Sequence, residues 1–130
     1  MRNHLSESMS TLLLITCAPN SIHAWHALGL AQALHQKQQA FRVFFYQDAV
    51  MVANALQWQP DDQRRLHQEW QKLGIRLPVC VSAALARGIT DHDNAKRHQL
   101  TQTNLAEGFE LVGLGELADA VQSCQRLVQF

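Results

Sequence analysis

Short apolar runs alternate with longer segments of helical periodicity along this chain of 130 residues. The apolar runs are rich in aliphatic, aromatic and β-branched residues, a composition typical of buried strands. They predict strands at residues 11–16, 41–46, 77–81, 109–112 and 126–130. The segments between them repeat apolar residues at three- and four-residue spacing or begin at capping residues, which is typical of helices. They predict helices at residues 21–37, 48–56, 60–73, 82–87, 91–99 and 114–123, with Gly74 and Gly88 as helix ends.

Strands that alternate with helices predict right-handed crossovers and a sheet covered on both faces. We therefore expect an α/β fold, a single three-layer α/β/α domain with a mainly parallel five-stranded sheet, flavodoxin-like in outline. The domain is predicted to span residues 11–130, after a polar, flexible leader at residues 1–10. Sheets of this kind carry their sites outside the carboxyl ends of the strands. Cys17 and Cys80 both follow or end a predicted strand, so both are candidates for chemistry.

Composition narrows the classes of function. Apolar residues make up 47% of the chain, which is typical of a folded globular protein. The formal net charge is zero, which disfavours direct binding to nucleic acid or to an anionic membrane. The longest aliphatic run, Leu12 to Ile15, is far shorter than a membrane span, and residues 1–10 lack the apolar core of a signal peptide. We expect a cytoplasmic protein. Three widely spread cysteines do not predict a disulfide framework, and in the cytoplasm their thiols are available for chemistry.

Cys80 stands at a predicted junction between a strand and a helix. Unpaired backbone N–H groups at a helix start favour an anion such as a thiolate or a persulfide. The segment around Cys80 has no Cys-x-x-Cys partner, and no Ser or His lies at the spacing of a hydrolase motif. A lone reactive thiol fits a carrier that other proteins load and unload, and it should react fastest with thiol reagents. A small buried hydrophobe is the alternative that spacing alone leaves open.

Three separated segments carry a family resemblance. The first reads Pro-Val-Cys-Val-Ser-Ala-Ala-Leu-Ala-Arg-Gly and spans residues 78–88. The second covers the second predicted strand and the turn after it, residues 44–54, and the third is the C-terminal segment, residues 108–130. Together they resemble the DsrE/TusD family, and the resemblance extends from about residue 11 to residue 130. The loop at residues 17–21 departs from the family's glycine-bearing loop, which implies a differently shaped mouth of the site.

The resemblance implies a sulfurtransferase subunit with Cys80 as the persulfide carrier. It implies a hetero-oligomer with TusB-like and TusC-like sister subunits, a TusA-like sulfur donor and a TusE-like sulfur acceptor. The implied pathway is 2-thiolation of the tRNA wobble uridine, with no cofactor, no metal, and no direct contact with nucleic acid or membrane. Two alternatives stay open: a DsrE-type subunit in sulfur oxidation, and a flavodoxin-like module that binds a nucleotide or flavin in the same crevice.

Three further residues could take part, each with a structural explanation beside the chemical one. Cys17 could resolve a persulfide on Cys80, although packing is the more common role of such a cysteine. Arg87 could hold an anionic sulfur or simply cap the end of a helix. Cys124 matches a cysteine of the family but is predicted to pack in the core. The seven histidines show no metal-ligand spacing, so we expect solvated or half-buried side chains.

Overall fold

A computed structural model describes residues 10–130 of the chain. Five strands alternate with helices, as the apolar pattern predicts. The strands are β1 Thr11–Ile15, β2 Phe41–Phe45, β3 Leu77–Cys80, β4 Phe109–Val112 and β5 Arg126–Gln129. The α-helices are α1 Ile22–Gln36, α2 Leu66–Gln71, α3 Val81–Ala86, α4 His92–Arg97 and α5 Leu114–Ser123, and a 3₁₀ helix spans Gln47–Ala53.

The strands form one parallel sheet in the order β4-β3-β2-β1-β5. β2 is the central strand, and β1 pairs with β2 on one side and with the edge strand β5 on the other. The three strands β1, β2 and β3 end together, because Ile15 is level with Phe45 and Phe45 with Val79. The predicted α/β class and the mainly parallel sheet are confirmed. The carboxyl ends, where sites form in such sheets, therefore lie along one edge.

Helices pack on opposite faces of the sheet. The ring of Phe45 packs edge-to-face against Trp70 of α2, with ring centroids 5.2 Å apart, and against Phe109 at 5.7 Å. Arg42 lies an odd number of residues from Phe45 and so projects from the other face, where its guanidinium donates to the Ser123 hydroxyl of α5. The core between these layers is apolar, and its centre has no exposed surface at Leu13, Val79 or Cys80.

Helix α1 fits the sequence prediction closely. It begins after Ser21, whose hydroxyl accepts a hydrogen bond from the His23 amide. Its buried face consists of three alanines and a leucine, Ala24, Ala27, Ala31 and Leu28. The small side chains allow the helix to approach the sheet closely. The apolar face of α1 therefore covers the core, although its other faces are polar.

The prediction of a helix that begins near residue 60 is wrong for its first residues. Pro60 opens a turn in which its carbonyl accepts from the Gln63 amide, and Arg65 is extended, so α2 begins only at Leu66. The guanidinium of Arg65 reaches back to the carbonyl of Gln59 and holds the loop in place. Proline and acidic residues, which are common at a helix start, here belong to a loop that precedes the helix by several residues.

The predicted helix at residues 48–56 is a shorter 3₁₀ helix that ends at Ala53. Asn54 leaves the helical conformation and forms an antiparallel bridge with Leu105. The side chain of Asn104 secures this junction by donating to the Asn54 amide oxygen and to the Gly88 carbonyl. Contact with a segment fifty residues away thus ends the helix, and a local pattern does not contain that contact.

The predicted leader at residues 1–10 lies outside the described residues, except for Ser10. Ser10 is buried, and its carbonyl accepts from the amides of Gln125 and Arg126 beside β5. The described fold therefore begins one residue before Thr11. Within residues 10–130, no helix is long and apolar enough to cross a membrane.

Candidate functional site

Cys80 is the last residue of β3 and the N-cap of α3. Its backbone is extended, with φ −60° and ψ 120°, and it lies level with Val112 of the neighbouring strand. The next residue begins α3, so the chain turns from strand to helix with no intervening loop. The sequence prediction of a thiol at a strand-to-helix junction is confirmed in its geometry. Its chemical role is a separate matter, since a strand end is also a common place for a packed side chain.

The polar neighbour of the Cys80 sulfur is a hydroxyl. Sγ lies 3.5 Å from Oγ of Ser82, the second residue of α3. The Cys80 side chain accepts no capping hydrogen bond from the backbone of the helix, so the expected contact with the helix N–H groups is not made here. Ser82 is exposed whereas Cys80 is fully buried. The sulfur therefore lies beside a residue that is exposed to solvent.

The burial of Cys80 bears on its expected reactivity. Its exposed fraction is 0%, whereas Cys17 and Cys124 are both half-buried. Access alone would let reagents reach the other two thiols first. Reaction at Cys80 requires a local movement that exposes the sulfur, and Ser82 is the exposed residue beside it.

Arg87 is the C-cap of α3, and each nitrogen of its guanidinium group donates a hydrogen bond to a neighbour. Its Nε and Nη2 donate to one carboxylate oxygen of Asp48, at 3.1 and 2.9 Å, and its Nη1 donates to the Ala83 carbonyl at 3.0 Å. The first contact ties α3 to the 3₁₀ helix, and the second satisfies a carbonyl near the helix end. These partners leave Arg87 pointing to Asp48 and to the backbone, and they support the capping explanation.

Cys17 lies on the loop after β1, in a separate environment. It lines a small apolar cavity with Ile15, Phe45 and Trp70, and Cys80 does not line that cavity. Burial raises the pKa of the Cys17 thiol, although a hydrogen bond with Ser21 opposes the shift. β2 separates the two strands, so the backbones near Cys17 and Cys80 are about 10 Å apart. A disulfide needs Cα atoms within about 7 Å, so the two thiols are not positioned to pair.

Cys124 is the C-cap of α5 and contacts its own helix. Its thiol donates to the carbonyl of Val121 at 3.4 Å, and it packs half-buried against the core. This setting agrees with the predicted packing role.

A cleft of mixed polar and apolar lining, which the sequence did not predict, lies beside the loops after β1 and the 3₁₀ helix. Its volume is about 620 Å³. Its walls combine aromatic, amide and charged side chains: Asn20, Trp25, Gln57, Gln59, Asp62, Gln63, Arg64 and His67. The guanidinium of Arg64 stacks over the Trp25 ring at 4.8 Å. The prediction of a helix over residues 60–65 hid the cleft, and Pro60 followed by two aspartates was the available signal for a turn.

The histidines do not gather into a metal site. Within the part of the chain that the structure describes, no three His, Cys, Asp or Glu side chains come together as a metal ion requires. His67 stands out because burial, helped by the positive charge of Arg65, lowers the pKa of its imidazole. It is thus a neutral donor or acceptor in the cleft wall at neutral pH.

Comparison with known proteins gives one consistent result. The sequence profile of the DsrE/DsrF-like family matches residues 9–130. The chain is 43% identical over 128 residues to sulfurtransferase TusD of Pectobacterium carotovorum, an alignment that covers 94% of this chain and 99% of the relative. It is 44% identical over 125 residues to the TusD homolog of Vibrio parahaemolyticus, covering 92% and 95%.

The fold has a solved counterpart. The crystal structure of the YchN protein from E. coli superposes with a TM-score of 0.75 at 22% identity, and the match covers 94% of this chain and 99% of that one. At this identity the likeness concerns the fold alone.

Proposed function

The chain belongs to the DsrE/DsrF-like family, and we propose that it is a sulfurtransferase subunit whose Cys80 carries sulfur as a persulfide. The observation that carries the proposal is the position of Cys80. It ends an interior strand of the sheet at a strand-to-helix junction, and its sulfur lies 3.5 Å from the hydroxyl of the exposed Ser82. The relatives at 43–44% identity are named sulfurtransferases, and they cover nearly the whole chain.

The proposed chemistry has two exchange steps. In loading, the Cys80 thiolate attacks the terminal sulfur of a donor persulfide; the new S–S bond forms on Cys80 and the donor leaves as a thiolate. In unloading, an acceptor thiolate attacks the terminal sulfur on Cys80, and Cys80 leaves as a thiolate. Each step transfers one sulfur atom from one thiol to another, so neither step needs an external oxidant or a cofactor.

Burial of Cys80 suits a carrier. A persulfide exposed to cellular thiols would be reduced before it reached its acceptor. Cys80 is 0% exposed, and its sulfur lies beside the exposed Ser82. The sulfur is therefore shielded until a partner moves the residues around it. The proposal therefore assigns partner proteins the task of opening the first turn of α3.

The pathway and the partners belong to the same proposal. The chain acts in the cytoplasm within a hetero-oligomer of TusB-like and TusC-like subunits. It takes sulfur from a TusA-like donor and delivers it to a TusE-like acceptor, for 2-thiolation of the tRNA wobble uridine. The names of the relatives support this relay over sulfur oxidation, because they are TusD proteins.

A cellular experiment tests the pathway. Cys80→Ser nearly keeps the side-chain volume but cannot carry a sulfur atom, so strains that rely on this variant should lack 2-thiouridine at the wobble position. Nucleoside mass spectrometry of bulk tRNA measures it, with Cys17→Ser as the matched control and circular dichroism to verify that both variants fold. Normal thiolation with a folded Cys80→Ser protein contradicts the proposal.

A further inference from the structure

The proposed exchange steps place negative charge on a buried atom. Sγ of Cys80 is a thiolate before loading and again at the end of unloading, yet the residue has no exposed surface. A buried anion is unfavourable unless hydrogen bonds replace the water it has lost. A donor within reach of Sγ is therefore required.

The candidate donors can be compared on their contacts. The backbone of α3 makes no hydrogen bond to the Cys80 side chain. The guanidinium of Arg87 is engaged by Asp48 and by the Ala83 carbonyl. The hydroxyl of Ser82 remains, 3.5 Å from Sγ, a distance within the range of hydrogen bonds to sulfur.

We propose that the Ser82 hydroxyl is a catalytic hydrogen-bond donor to Sγ of Cys80 in both exchange steps. This inference rests on the proposed function and deepens it. In loading, the O–H group stabilises the negative charge that Sγ retains in the transition state, while the donor's S–S bond breaks and the donor departs as its own thiolate. In unloading, the same O–H group stabilises Cys80 as the leaving thiolate. The proton stays on Ser82 throughout, so the hydroxyl is neither consumed nor changed in either exchange step.

The test uses the purified full-length chain and three variants. Ser82→Ala removes the hydroxyl, Ser82→Thr keeps it, and Ser123→Ala removes a hydroxyl of α5 that contacts Arg42 instead. Loading is followed by intact mass with glutathione persulfide as the donor, and unloading is followed with excess dithiothreitol.

The expected result is a hydroxyl-specific loss. Ser82→Ala should slow both steps by up to about fivefold, the factor that corresponds to one net hydrogen bond of about 1 kcal/mol. Ser82→Thr should keep most of the rate, and Ser123→Ala should match the wild type.

Two results would overturn the inference while leaving the proposed function intact. The first is loading and unloading at the wild-type rate or faster in Ser82→Ala. The second is an equal loss in Ser82→Ala and Ser82→Thr, which would point to packing rather than to the hydroxyl. A wild-type chain that takes up no sulfur on Cys80 is a different failure, because it would remove the proposed function itself.

Discussion

At the scale of the residue, Cys80 combines a predictable position with an unpredictable environment. The strand-to-helix junction follows from the apolar run and the family resemblance, and both single out this cysteine. The sequence could not give its complete burial or its contact with Ser82, because these depend on how α3 packs against the rest of the fold. Burial also changes the expected order of reaction among the three thiols.

Cys17 provides a prediction about protonation. Burial raises its pKa, so its neutral thiol persists to a higher pH in the folded chain than in the unfolded one. Timed alkylation followed by peptide mapping should find that labelling of Cys17 rises at a higher pH in the native protein than in urea. Equal pH profiles in the two states would show that the loop after β1 does not shield this thiol.

At the scale of the element, α3 is held to the 3₁₀ helix by one ion pair. The side chains of Arg87 and Asp48 are 32% and 66% exposed, so their coupling should be that of a surface pair, about 0.2–1 kcal/mol. We expect Arg87→Gln and Asp48→Asn to lower stability by similar small amounts, and the double variant to lower it by less than their sum. Urea unfolding of the full cycle measures this coupling.

The same variants separate the two explanations of Arg87. Both single variants should load sulfur on Cys80 at similar rates if the arginine acts only on Asp48 and on the end of α3. A loading defect in Arg87→Gln that Asp48→Asn does not share would instead assign Arg87 a direct effect on the sulfur.

His67, which lines the cleft, makes the stability of the fold depend on pH. Its pKa is lowered in the folded chain, so the unfolded chain binds the proton more readily. The folded state is therefore favoured above the ordinary histidine pKa of about 6.5 and loses this advantage as the pH falls through that value toward the lowered one. Between about pH 7 and 5, His67→Gln should lose less stability than the wild type.

Thermal unfolding across this pH range measures the effect, and His35→Gln is the matched control because His35 is exposed. A wild-type pH profile in His67→Gln would mean that His67 ionises alike in the folded and unfolded chains.

Element boundaries show where local sequence patterns fail. The 112–114 region was predicted accurately, because strand β4, Gly113 and the start of α5 are all set by local preferences. The segment before α2 was not, since Pro60 and its acidic neighbours form a turn that Arg65 stabilises from a distance. The 3₁₀ helix also ends through a contact between Asn54 and Asn104. The boundary of the 3₁₀ helix thus depends on a contact fifty residues away, whereas the start of α2 depends on a side-chain hydrogen bond that spans six residues.

At the scale of the whole molecule, the sequence predicted the class of fold and the parallel sheet, whereas the order of the strands needed the structure. Several large apolar side chains remain at the surface, with Trp58 at 83% and both Ile22 and Leu56 at 67% exposed. Exposed aromatic and aliphatic groups of this size are typical of protein contacts. They are compatible with the proposed hetero-oligomer.

Co-expression tests the proposed assembly. Together with its TusB-like and TusC-like neighbours, the chain should elute from size exclusion as one complex that contains all three proteins. A partner that covers the surface around Trp58 should also protect this side chain from solvent, and tryptophan fluorescence quenching measures this protection. A strictly monomeric chain in the presence of both neighbours would contradict the partner assignment.

The central claim is that Cys80 carries the sulfur atom, and intact mass spectrometry tests it most directly. The folded wild-type chain is incubated with a persulfide donor, and peptide mapping locates any added mass. The account predicts one added sulfur atom, located on Cys80, removed by a reducing thiol and absent from Cys80→Ser. Sulfur that accumulates on Cys17 or Cys124 instead, or equal uptake by the folded Cys80→Ser variant, would contradict it.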